Sequence, residues 1–533
     1  MNRAPDDRGT PQEAGSPPGS TTQPDDSGPA VAVAVAPVAQ VGTGAPPLGS
    51  TPVEVFPNWR APAAPPSRLL LGAAAAVGLT TAVVLPLERP GLGWFVAAVV
   101  AAVVIAAVAR HAHRLEPTAH ARRAHVVDGA WALAAIGLVG VTAVRDADWL
   151  IALCLLAAPC AASIAVAGRH FRSLAFSAMA VPLAALRALP WVAKALWAAR
   201  QGAGGQAART AVAGAVGLCL VAVFAPLLAS ADPAFARLLH DIVPTVDDAG
   251  VARAVLFVLA ACAVLGSGFL LVAPPAPPGP RASGPARLRR VEWALPIGLL
   301  VTLFGLFVGV QFATLFGSDD YVRRTTGVTY AEYARGGFWQ LLAVTVLALG
   351  VVLLASRYAP APSRADRAWK RGLLAVLAGL TLVIVASALR RMWLYQEAYG
   401  FTTLRLVVLT CELWLGACFL LVLVAVLRLR ARPLVREMAA AGVAALLGLA
   451  ALDPDAFVAT SNVDRFASTG QLDTYYLGTL SADAVPALAR LPEPQRCEVL
   501  PRIAAVMAVP EKSWTGWNAS RTAAREMLAR MPC

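Results

Sequence analysis

An all-α fold is what this sequence predicts: a polytopic transmembrane helix bundle of about eleven spans, with a disordered N-terminal leader and a small helical C-terminal tail domain. Three observations predict it. Only 14% of the 533 residues are charged, against about 25% in a typical soluble domain. The mean hydropathy is +0.63. Apolar runs of about 20 residues recur along the chain, each long enough as a helix to cross a hydrocarbon layer of ~30 Å. A water-soluble globular enzyme is therefore excluded.

Residues 1–60 are rich in Pro, Gly, Ser, Thr and Asp and form the leader, which cannot bury enough apolar surface to fold alone. The first apolar segment begins near Leu69, so the first membrane helix is expected to direct insertion itself. Candidate spans then follow at about 69–87, 91–109, 129–144 and 149–167, then 210–230, 255–272 and 294–316, and finally 338–356, 372–389, 406–427 and 438–452. Residues 61–209 make a variable region of four spans. Between its fourth span and the fifth, residues 171–200 carry Arg187, Lys194, Trp191 and Trp197 and read as an amphipathic helix on the membrane, broken at Pro182 and Pro190. Residues 210–452 make a seven-span core, and 453–533 a helical tail in which Ser481 and Asn518 or Ser520 can cap helices.

Charge sets the orientation. The net balance is +13, but the basic residues are scattered between apolar runs rather than gathered on one face, so no nucleic-acid partner is expected. Alternate loops hold 23 Lys and Arg in one set and 10 in the other. The positive-inside rule assigns the richer set to the cytoplasm, the N-terminus with it, and the tail to the outside. The Ala-, Gly- and Pro-rich composition with only three lysines points to a bacterial source and its cytoplasmic membrane. In that placement Cys497 and Cys533 sit in an oxidising compartment, either as a disulfide or as two free thiols.

Five segments stand out on the outer side: Ala231 to Phe235 (ADPAF), Gln311 to Gly317 (QFATLFG), Thr326 to Phe338 (TGVTYAEYARGGF), Leu394 to Arg405 (LYQEAYGFTTLR) and Tyr476 to Leu488 (YLGTLSADAVPAL). In this order they resemble a bacterial multi-pass membrane family known only as a domain of unknown function, the 4153/4173 group, over roughly residues 210–531. The resemblance implies an integral membrane protein and no activity. At Asp453-Pro454-Asp455-Ala456 that family more often has Asn in the first place.

The candidate ligand- or partner-binding residues lie in these segments. Asp232 follows the fifth span. Glu332 and Arg335, three apart behind a Thr329–Glu332 capping box, can pair on the eighth span. Arg390, Arg391, Tyr395, Glu397 and Arg405 surround a helical hairpin that Gly400 can stop, with Thr402 or Thr403 capping the next span. A snorkelling and aromatic-belt reading covers most of them without a ligand. Glu412 is different, because a carboxylate well inside a span is a functional candidate by default, free to pair with Arg390 or Arg391, to relay protons, or to meet a cation. Gln311 reads as an interhelical hydrogen-bonding residue.

His111, His113, His120 and His125 share one loop but match no zinc spacing, and no metal or cofactor is expected. There is no phosphate-binding glycine loop, HExxH or GxSxG. The expected partners are the lipid bilayer and an envelope protein or small-molecule ligand at the outer face. The leading expectation is a non-enzymatic sensor, accessory or assembly component. A secondary transporter using Glu412 and the arginines is the alternative, and a membrane enzyme acting on lipid or envelope precursors, through Asp232, Asp319, Asp320 and Glu332, ranks last.

Overall fold

The computed structural model describes Trp59, residues 61–115, 121–167, 174–201, scattered positions between 217 and 238, and residues 248–274, 289–316, 338–359, 363–428, 434–508, 511 and 513–531. All of these belong to one unit, Phe56–Cys533; the expected leader lies outside the described residues, Trp59 excepted. Every regular element among them is a helix.

In chain order these are α1 (Arg68–Val84), α2 (Leu92–Leu115), α3 (Ala121–Val144), α4 (Asp148–Ala167), α5 (Leu174–Ala178), α6 (Ala180–Gln201) and α7 (Asp248–Val272). Next come α8 (Arg290–Phe316), α9 (Phe338–Tyr358), α10 (Arg364–Tyr399), α11 (Thr403–Arg428) and α12 (Leu434–Leu452). The tail holds α13 (Pro454–Thr469), α14 (Thr474–Leu477), α15 (Val485–Leu488), α16 (Glu493–Met507) and α17 (Ala519–Ala529), with short 3-10 turns at Ala482–Ala484 and Trp514–Gly516.

Eight of these helices are long and apolar enough to cross a membrane, and α1 and the end of α3 are shorter apolar helices. They account for ten of the expected spans; the fifth lies mostly outside the described residues. Large apolar side chains such as Leu133, Leu156, Leu299, Leu347 and Leu413 point outward, as they do on helices bathed in lipid. The chain is a multi-pass membrane protein.

Three clusters of buried side chains order the bundle. One joins α1, α6 and α7. A second joins α8 to α11 with the start of α12. The third runs from α3 and α4 into the tail and includes the end of α12. Thus α12 packs on α11 and also on α3 and α4. Directions alternate. In the antiparallel α1–α7 pair, a Cβ on Gly78 would meet Phe257 and one on Gly268 would meet Leu70. At one end of the bundle Arg290 pairs with Asp366, Lys370 donates to the Ser356 and Ala359 carbonyls at 2.9 Å each, and Arg436 pairs with Asp128 at 3.3 Å. At the other end the tail meets the α1–α2, α3–α4 and α10–α11 turns.

Two expectations change in detail. The helix after α4 breaks at Met179, not at Pro190, and α6 continues through that proline. Its stripe of Ala180, Ala184, Ala188 and Trp191 is buried in one continuous contact that outweighs a missing hydrogen bond, while Pro182 falls in the first turn, where no donor is needed. In the tail, Ser481 precedes only a 3-10 turn and α15, because its hydroxyl turns to Asp483 at 3.1 Å instead of capping.

Candidate functional site

Buried polar chemistry gathers in two places toward the tail end of the bundle. The first is the junction between the tail and α2–α4. Asn518 accepts the Arg521 N–H at 3.0 Å, starting α17, and its amide donates to the Thr142 and Arg145 carbonyls at 3.0 and 2.8 Å, where α3 has run out of partners. Arg521, only 1% exposed, donates to Glu511 at 2.8 Å, to Asp146 at 2.7 Å, and to the carbonyls of Pro90 and Gly516 at 3.0 and 2.7 Å. A guanidinium taken out of water needs this many acceptors to offset its lost hydration. Gly91 permits the approach, since a Cβ there would lie 2.5 Å from the Gly516 oxygen.

Around Arg521 stand carboxylates that start helices. Asp483 accepts the Asp146 and Ala147 N–H groups at 2.8 and 3.0 Å, together with the hydroxyls of Ser481 and Ser520. Asp455 accepts from Trp149 Nε1 at 3.3 Å and from Ser481 N at 3.0 Å. Asp453 caps α13 from a left-handed backbone, φ 59°, and pairs with Arg145. Burial, reinforced by the charge on Asp483, pushes the Asp453 carboxyl up to about 6, with Arg145 opposing. Sequence reasoning missed Arg521, Asp146, Glu511 and Asp483. For Asp146 the signal was the density of charge in Arg145-Asp146-Ala147-Asp148 at the end of an apolar run; the other three carried none.

The second place is the α10–α11 hairpin. Gly400, φ 80°, ends α10 and its N–H donates to Gln396 at 2.8 Å. A Cβ there would sit 2.5 Å from Asn462, whose amide holds the Phe401 carbonyl at 2.8 Å. Thr402 accepts the Arg405 N–H at 3.4 Å, and the Tyr476 hydroxyl ties Thr403 to the tail. Arg405 stacks 4.3 Å above the Tyr395 ring and donates to the Gly400 and Tyr399 carbonyls. Glu397 is exposed and accepts from Trp393 Nε1 at 2.8 Å; Arg390 is exposed and Arg391 half-buried. The hairpin residues thus brace one another and the tail.

Glu412 stands apart from them. On α11 the buried residues Val408, Glu412, Leu415, Phe419 and Val422 recur four and three apart, the seam that packs against α10, where Gly416 meets Val385. Glu412 is 1% exposed, and neither carboxyl oxygen has a hydrogen-bond partner. None of Arg390, Arg391 and Arg405 forms an ion pair with it.

Of the other candidates, Asp232 is exposed and closes a local turn, accepting the N–H groups of Ala234 and Phe235 at 2.7 and 3.4 Å. Glu332 and Arg335 lie outside the described residues, as do Asp319 and Asp320. Cys497 is disulfide-bonded, and Cys533 lies outside the described residues. Among the described residues no group of three His, Cys, Asp or Glu side chains is placed to hold a metal ion.

No curated protein and no solved structure matches the chain. A family model described as a domain of unknown function (DUF4153) matches residues 132–491, which takes in α4, the α10–α11 hairpin, Glu412 and the tail through α15. With well over half of its length matched, the chain belongs to that family.

Proposed function

We propose that this protein is a non-enzymatic sensor, accessory or assembly component of the bacterial cytoplasmic membrane, with its N-terminus inside and its tail outside, where it binds an envelope protein or a small-molecule ligand. The observation that carries the reading is the separation of charge between the two ends of the bundle. Arg290, Lys370, Arg436 and the helix ends near them lie opposite the tail, in the loop set that holds 23 basic residues against 10. Loops so rich in arginine stay in the cytoplasm. The tail is then a surface held firmly over the outer end and exposing Tyr475, Trp514 and Trp517.

The transporter reading finds less support, since Arg405 is committed to the hairpin carbonyls and Glu412 has no basic partner. For an enzyme, Asp232 is spent on a turn.

The test is a topology map in intact cells. Single cysteines replace Arg110, Glu397 and Tyr475 in a background stripped of other reactive thiols, and an impermeant thiol reagent is added. Labelling at Glu397→Cys and Tyr475→Cys but not at Arg110→Cys is expected. Labelling of Arg110→Cys alone puts the tail in the cytoplasm and ends the proposal.

A further inference from the structure

Most buried charges in the described residues have a visible reason to be where they are, and the carboxyl of Glu412 does not. It lies nine residues into α11, ~13 Å below the hairpin at 1.5 Å per residue. Because α10 and α11 run antiparallel and Gly416 meets Val385, Glu412 stands level with Leu389, with Ser387 within about a turn. The hydroxyl of Ser387 is likewise buried without a hydrogen-bond partner. On the other side of α10, the Arg290–Asp366 pair sets the register of the parallel helix α8, and 21 residues further along each helix stand Gln311 and Ser387. Gln311 is buried too. Three helices therefore bring a carboxyl, a hydroxyl and an amide to one level of an otherwise apolar cluster.

We infer that Glu412 is an intramembrane proton-binding site, and that loss of its proton opens the α10–α11 seam. An isolated carboxylate in such surroundings costs many kcal/mol, so a close-packed seam in which no donor reaches the carboxyl oxygens accommodates the neutral acid only. A metal cation needs several ligands around it, and among the described residues no group of three His, Cys, Asp or Glu side chains stands there to supply them. When the proton leaves for water, the carboxylate must be hydrated, and the helices part to admit the water.

The charged and titratable groups on the surrounding elements leave Glu412 as the group that responds. On α11 itself there are Cys411, Cys418 and, at the ends, Arg405 and Arg428. On α10 the nearest are Arg390, Arg391, Tyr395 and Glu397, all toward the hairpin. On α9 they are Arg357 and Tyr358, and on α12 Arg436 and Glu437, both pairs at the far end; on α13 they are Asp455, Asp464 and Arg465, beyond the hairpin. Movement of α11 reaches the rest of the molecule through two ties. Trp414 Nε1 donates to the Met438 carbonyl of α12 at 3.0 Å, and Thr403 holds Tyr476 of the tail. The inference does not depend on which side of the membrane the tail faces.

Two measurements on the full chain in lipid vesicles test it. A hydrophobic carbodiimide, which attacks protonated carboxyls in apolar surroundings, is expected to modify Glu412, with a yield that falls at least tenfold as pH rises. Peptide mass spectrometry locates the adduct on the unmutated protein. Separately, Cys418, fully buried in the same cluster, is kept as the one reactive thiol and exposed to a small permeant maleimide from neutral to alkaline pH. Its labelling in the parent chain is expected to exceed that in Glu412→Gln at least tenfold at the alkaline end, with the two equal at neutral pH. Absence of the adduct at every pH, or equal Cys418 labelling in both chains throughout, overturns the inference.

Discussion

The tail junction and the α10–α11 seam both bury charge-bearing side chains, and they do so in opposite ways. At the junction Arg521 has two carboxylates and two carbonyls, and Asp483 has four donors. In the seam Glu412 has nothing. A buried ion that is fully met by partners fixes the geometry around it; a buried carboxyl without partners fixes nothing. The difference separates a lock from a responsive element, although both are equally hidden from solvent.

Mutations can break or sharpen this contrast. Arg521→Ala should have the largest effect, because it takes the ion-pair partner from Asp146 and leaves Glu511 with Arg525 alone; a loss of about 3–5 kcal/mol is expected, read as a lower unfolding midpoint in detergent and as rapid tryptic cleavage within the tail. Asp483→Ala removes the acceptor of four donors and should cost about 2–3 kcal/mol by the same measurement. If either change is silent, the junction is no lock.

The pH dependence of the junction is a finer test. The Asp453 carboxyl is raised in the folded protein to about 6 from its ordinary 3.8, so the folded state binds its proton more tightly. The resulting stabilisation is complete below about pH 4 and is lost as pH rises through 6. Its size is on the order of 1–2 kcal/mol after solvent screening. Tail docking should therefore be tighter at pH 5 than at pH 7.5, and Asp453→Asn should flatten the difference. At neutral pH, Glu412→Gln should change the unfolding midpoint by less than about 1 kcal/mol, since no partner is lost; a cost above about 2 kcal/mol would falsify the unpaired seam. Last, Arg490→Ala breaks an ion pair with Asp464 that is more than half exposed on both sides, and less than about 0.5 kcal/mol should follow.

The spans were legible because lipid imposes length and apolarity on each helix locally. Gly400 and Asn518 were legible for a similar reason, as caps act within a turn. Glu412 was visible as an anomaly, but its lack of partners was not, because Arg405, seven residues away, has carbonyls of its own hairpin within reach. The junction was hidden for a different reason. Arg521 and Pro90 are 431 positions apart, and no pattern in either neighbourhood names the other. The break at Met179 was misplaced because prolines set a local preference that the packing of α6 on α7 overrode.

That long reach of Arg521 has a consequence for biosynthesis. The turn around Pro90 and Gly91 emerges with the first pair of helices, yet its latch is translated 431 residues later. At about 5–20 residues per second the ribosome needs roughly 20–90 s to deliver it. Throughout that interval the turn carries open carbonyls and Asp146 an unanswered charge, so quality-control proteases meet an unlatched molecule. Until α17 arrives, water or another protein has to satisfy those groups.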